Sequence, residues 1–186
     1  MEAAVEEMLQ SRSEHRSKQD PLVGAVLVKA KGKLLAATHR GDLRVGDHAE
    51  YTLIERYLSD KNLDGATLYV TLEPCTRRNP PKKPCAERVV GARIRQVFVG
   101  MTDPNPDICG RGVQYLMNHG VEVDFFDLDL VHEIRKLIRD LSIITRPRRK
   151  KRRVRANHSR GLRAKSWRLS NELRSTIFLA ARCRAT

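Results

Sequence analysis

Two hydrophobic rhythms alternate along residues 1–145. Val5, Met8 and Leu9 share one helical stripe within residues 2–12. Residues 22–28 are rich in Val, Leu and Ala and predict a buried strand. Lys31, Gly32 and Lys33 form a turn, and residues 34–39 return as a second strand, so a hairpin is expected. Leu53, Ile54, Tyr57 and Leu58 recur at helical spacing across 48–58, and 66–71 predicts a third strand behind Gly65. The proline-rich passage 74–84 fits neither element. A short helix over 85–90 is closed by Gly91. A strand at 95–99, a helix at 111–118 ending near Gly120, a strand at 121–126 and a helix at 128–144 complete the pattern. Strands alternating with helices after an opening hairpin predict an α/β fold with a mixed five-stranded sheet.

The periodicity stops near Thr145, and the charge distribution changes there too. The chain has 186 residues and a net charge of +14. Residues 146–186 hold 15 of the 36 Lys and Arg against a single acid, Glu172, whereas the remainder balances 21 basic with 21 acidic side chains. Two regions are therefore expected: a folded domain over 1–145 and a basic tail over 146–186, its block 146–155 kept disordered by self-repulsion. A marginal helix is expected over 170–183. No apolar run reaches the ~20 residues of a membrane span. Residues 1–13 show neither a basic start nor an apolar stretch, so a cytoplasmic protein is expected, or a nuclear one if the basic run is a localisation signal. Four cysteines in such a chain point to metal ligands or free thiols before disulfides.

The strongest chemical signal is His48-Ala49-Glu50, followed by Pro74-Cys75 and, after nine residues, Cys85. Hydrolytic removal of an amine from a heteroaromatic ring needs a nucleophilic water at neutral pH. Zn²⁺ held by three protein ligands lowers the pKa of water to ~7. One imidazole and two thiolates suit that task, with Glu50 as the carboxylate that moves protons. His48 is expected to open a helix, which puts Glu50 in its first turn. Cys75 and Cys85 each follow a proline at the start of a helix or turn, where the helix dipole favours a thiolate. Cys109 is surplus to that ligand set, and His39, His119 and His132 show no partner pattern.

Thr71-Leu72-Glu73-Pro74-Cys75, Pro84-Cys85-Ala86-Glu87, Asp103-Pro104-Asn105-Pro106 and Gly110-Arg111-Gly112 occur in that order. With residues 21–28 they resemble the pyrimidine deaminase domain of riboflavin biosynthesis, in the cytidine and deoxycytidylate deaminase superfamily. The resemblance covers about residues 1–145. It implies a three-layer α/β/α sandwich, bound zinc, self-association and a small pyrimidine or nucleotide substrate. Asp20 stands where that family places an asparagine that contacts the substrate ring, and a carboxylate cannot donate a hydrogen bond. The segment between the two cysteines is one residue longer than usual, and no reductase domain follows, although the riboflavin enzyme is often fused to one. Asp20, Arg77, Asp103, Asn105 and Arg111 are the candidate substrate-binding residues. Arg77, with Arg78, Lys82 and Lys83 nearby, suits a phosphate, and Arg111 lies between two glycines that let the backbone bend toward a ligand.

Three functions are consistent with these residues. The first is a zinc-dependent hydrolase acting on the exocyclic amine of a pyrimidine. The second is a nucleic-acid base deaminase recruited by the basic tail, acting on an unpaired or flipped base; Trp167 and Phe178 give that tail few stacking platforms. The third is a zinc-binding module of the same fold without turnover.

Overall fold

In the computed structural model, residues 1–15, 20–29 and 32–145 are described, with side chains through Arg139. The expectations for residues 146–186 lie outside the described residues. The chain forms α1 (Glu2–Leu9), β1 (Gly24–Lys29), β2 (Lys33–His39), α2 (Ala49–Thr52), β3 (Thr67–Leu72), α3 (Cys85–Gly91), β4 (Gln96–Met101), α4 (Arg111–Asn118), β5 (Glu122–Phe125) and α5 (Leu128–Thr145).

The five strands make one sheet in the order β2-β1-β3-β4-β5. The β1–β2 hairpin is antiparallel, with a register shift between Leu27 and Val28. Strand β3 runs antiparallel to β1 but parallel to β4, which is parallel to β5. The sheet is mixed, as the alternation of elements predicted. Helices α1 and α5 touch each other and cover one face, while α2, α3 and α4 form a connected row on the other. The core lies on both faces of the central strands, where Leu27, Leu68, Val70, Val97 and Val99 are fully buried against Met8, Leu53, Leu116 and Ile134. Each such side chain contributes roughly 1.5–3 kcal/mol by leaving water. Tyr69 and Phe98, paired across β3 and β4, stack with centroids 4.9 Å apart. Among the described residues, no helix is long and apolar enough to cross a membrane.

Two elements differ from their sequence pattern in an informative way. Helix α1 ends at Leu9 instead of Arg12, because the Arg12 N–H bonds the Arg40 carbonyl at the end of β2 (2.9 Å). The helix expected over 48–58 begins as α2 but widens at Leu53–Tyr57, where the Leu58 N–H reaches back five residues to the Leu53 carbonyl (3.1 Å). That wider turn keeps Leu53, Ile54 and Leu58 all buried, and such turns recur beside functional sites. Close approach also dictates Gly24: a Cβ there would lie 2.0 Å from the Ala4 carbonyl oxygen, so α1 can rest on β1 only over a glycine.

Candidate active site

The site is assembled where the α2 and α3 N-termini meet the chain leaving β3. His48 is the residue before α2, with extended backbone (φ −77°, ψ 149°). Cys85 is the first residue of α3, behind Pro84. Cys75 lies three residues past β3 and is tied to α3 twice. Its carbonyl accepts the Ala86 N–H (3.1 Å), and its Sγ accepts the Cys85 N–H (3.4 Å). Both are helix N-terminal donors that lack partners within their own helix.

These attachments bring three donor atoms within 4.8 Å of one another. His48 Nδ1 lies 3.4 Å from Cys85 Sγ and 3.7 Å from Cys75 Sγ. A tetrahedral zinc ion with ordinary bond lengths separates a nitrogen and a sulfur ligand by about 3.6 Å, so the spacing fits that ion. A nitrogen and two sulfurs are also the donor set that zinc prefers. The sulfurs are electrostatically unequal. A hydrogen bond from Cys85, reinforced by His48, pulls the Cys75 thiol well below its ordinary range despite burial. Its proximity to Cys75, together with full burial, pushes Cys85 up. Cys109 lies outside the group.

Glu50, in the first turn of α2, is only 3% exposed. Burial pushes its carboxyl up, opposed by His48, while Cys75 raises it further. A carboxyl tuned toward neutrality can both take and return a proton.

Two adjoining clefts open beside these groups. The first is lined by Pro21, Val23, Arg40, His48, Glu50, Leu72, Glu73, Cys75 and Asp103. The second shares Glu73, Cys75 and Asp103 and extends to Thr76, Arg77 and Ile108. His48, Cys75 and Cys85 are thus brought together around one metal-sized position, with Glu50 and Asp103 lining the first cleft and Arg77 the second. Asp20, Asn105 and Arg111 line neither cleft. Asn105 Oδ1 accepts the Asp107 N–H (3.1 Å), and Arg111 begins α4 as an exposed side chain.

Asp20 instead fastens the 13–15 segment. Its carboxylate accepts hydrogen bonds from Ser13 Oγ (2.9 Å) and Glu14 N–H (2.8 Å), with His15 Nδ1 at 3.0 Å. Burial alone would raise its pKa. The His15, Ser13 and Glu14 hydrogen bonds, with the Arg40 charge, override burial and hold it at about 2. Because the folded value lies below the ordinary 3.8, the stabilisation is complete above pH 4 and is lost as pH falls toward 2. It amounts to roughly 2 kcal/mol. Melting temperature measured against pH should drop through that window, and Asp20→Asn should flatten the drop. Superimposable profiles would exclude this role.

Two residues of the site carried no signal of their own in the sequence. Glu73 sits within the Thr-Leu-Glu-Pro-Cys block, and its buried carboxylate accepts N–H groups from Asp103 (2.9 Å), Gly110 (2.8 Å) and Val113 (3.4 Å). It is a positioning residue that pins the loop after β4 and the start of α4 over the second cleft. A Cβ on Gly112 would lie 2.2 Å from the Pro74 oxygen, so α4 rests directly on that turn. An acid at the end of an apolar strand was the only available hint. Arg40, just past β2, had none.

Residues 1–101 match the family model for the cytidine and deoxycytidylate deaminase zinc-binding region. The riboflavin biosynthesis protein RibD of Bacillus amyloliquefaciens is 39% identical over 126 residues, covering 66% of this chain and 31% of that protein. The diaminohydroxyphosphoribosylamino-pyrimidine deaminase of Buchnera aphidicola is 31% identical over 118 residues, covering 62% of this chain and 75% of that one. Among solved structures, the bifunctional diaminohydroxyphosphoribosylaminopyrimidine deaminase/5-amino-6-(5-phosphoribosylamino)uracil reductase of Thermotoga maritima aligns with a TM-score of 0.62 at 37% identity, over 74% of this chain and 37% of that one. The chain spans about a third of the RibD protein it matches in Bacillus. The matched region contains all three metal donors and Glu50, and on that ground the chain belongs to the cytidine and deoxycytidylate deaminase family, with riboflavin-pathway deaminase domains among its relatives.

Proposed function

We propose that this protein is a zinc-dependent hydrolytic deaminase of an aminopyrimidine that carries a phosphorylated sugar. The observation that carries the reading is the convergence of His48 Nδ1 and the two sulfurs at tetrahedral spacing, with buried Glu50 lining the same cleft. When bound there, zinc supplies the Lewis acidity that makes water a nucleophile at neutral pH. The remaining work falls to the chain. Pro21, Val23 and Leu72 give the first cleft apolar walls that suit a flat ring. Glu50 takes one proton of the attacking water and delivers it to the ring nitrogen, then takes the remaining proton of the added hydroxyl and hands it to the amine as the C–N bond breaks. The balance is one water consumed, a carbonyl formed at the ring carbon and one ammonia released. Arg77 lines the second cleft, and we assign it to the phosphate because a guanidinium matches that group. The names of the Buchnera and Thermotoga relatives supply the substrate class, a phosphoribosylamino-pyrimidine.

The test is ammonia release by the zinc-loaded chain from paired pyrimidines with and without the 5′-phosphate. We expect turnover of the phosphorylated member at a lower KM. Silence across a panel that includes the riboflavin-pathway pyrimidine and deoxycytidylate would sink the assignment.

A further inference from the structure

Arg40 is 9% exposed, yet its side chain makes no hydrogen bond among the described residues, and Nε is buried without a partner. Its one charged neighbour is Asp20, whose Oδ1 lies 3.7 Å from a terminal guanidinium nitrogen, beyond hydrogen-bond reach. The Asp20 oxygens are already engaged by Ser13, Glu14 and His15. A guanidinium carries five donors in a planar fork and cannot shed its proton. Leaving its Nε donor buried without a partner is costly. This one lines the first cleft, together with His48 and Glu50.

The surrounding chemistry decides what it awaits. Glu50, Glu73 and Asp103 line the same cleft, and Asp20 stands behind Arg40. A phosphate or carboxylate there would share the cleft with three acidic side chains. A neutral heterocycle would bring no charge against them, and it can still offer lone pairs. A ring carbonyl oxygen has two lone pairs and can accept from two guanidinium N–H groups at once.

We propose that Arg40 reads the substrate ring, donating to a ring carbonyl oxygen while Asp20 supports its charge. The assignment rests on the deaminase reading for its orientation, because the amine-bearing carbon must face the metal donors and Glu50 while the oxygenated edge meets Arg40. The protein thus selects aminopyrimidines that also carry an oxo group. The phosphate belongs to the second cleft.

The test compares uracil with pyrimidine, the same ring without oxygens, by ligand-observed NMR titration of the zinc-loaded full chain, with inorganic phosphate as a third probe. Wild type should favour uracil over pyrimidine by about 10–100-fold, the scale of hydrogen bonding from a charged donor to a carbonyl oxygen. Arg40→Met should erase that preference, and Arg40→Lys, which keeps charge but loses the fork, should restore only part of it. The melting temperature of Arg40→Met should change little at neutral pH, since Asp20 keeps its Ser13, Glu14 and His15 hydrogen bonds. Arg40→Met that retains the uracil preference overturns the proposal. So does phosphate that displaces uracil from wild type but binds Arg40→Met weakly, since the pocket would then hold an anion. The binding readout needs no turnover. If ammonia release failed on every pyrimidine while the uracil preference followed Arg40, only the deaminase reading would fall. If Arg40→Met deaminated an oxo-pyrimidine with unchanged KM, only the Arg40 assignment would.

Discussion

Glu50→Gln is expected to bind zinc as the wild type does while ammonia release falls by about 10²–10⁴-fold, the usual contribution of a positioned general acid–base. Gln keeps the shape of the side chain but cannot accept or return a proton. Its neighbours should tolerate it, since Glu50 is not among the metal-sized group of donors. The carboxyl is buried at the start of α2 and pushed up chiefly by that burial. It therefore sits closer to the working pH than an exposed glutamate would, which suits a group that must act as base and then as acid. Metal analysis paired with an ammonia assay separates the two roles. A variant that turns over normally removes Glu50 from the mechanism, and one that loses metal recasts it as a ligand.

Cys85→Ala should produce the complementary result, in which metal is lost first and activity follows. Cys85 is fully buried, and its backbone N–H also supports Cys75 Sγ. Removing its sulfur leaves one imidazole and one thiol, one short of the three protein ligands of a catalytic zinc site. A ligand that binds only the folded state at 100 times its Kd adds about 2.7 kcal/mol. For a domain of this size, that corresponds to a melting shift of roughly 10 °C. Chelation of the wild type should therefore lower its melting temperature by about that amount, and added zinc should reverse the loss. In Cys85→Ala neither treatment should matter, whereas Glu50→Gln should respond like the wild type. A chelated wild type that melts unchanged, or a Cys85→Ala protein that still carries one zinc, would contradict the ligand set.

Much of this site was legible in the one-dimensional pattern. His48 and Glu50 are two residues apart at a helix start, and that spacing alone places both in the first turn. Cys75 and Cys85 each follow a proline that ends or starts an element, so their backbone setting could be read locally. The strands of the sheet followed from β-branched runs between glycine and proline breaks. Expected and observed boundaries differ by no more than three residues, the largest difference falling at α1, where the Arg12–Arg40 backbone pairing ends the helix early. The widening of α2 was invisible, because helical spacing at Leu53, Ile54 and Leu58 does not distinguish a regular turn from one that reaches back five residues.

What the chain determined by itself is the candidate set of reacting groups, since nitrogen and sulfur donors and an acidic side chain beside them are properties of residue type and short spacing. What only the tertiary structure decided is the use of the charged residues around them. Asp20 was expected at the substrate and is found holding residues 13–15, Glu73 pins the loop over the second cleft, and Arg40 enters the first cleft without a hydrogen bond. The physical reason is common to all three. A charged side chain acts through its partners and its burial, and both are set by chain segments distant in sequence.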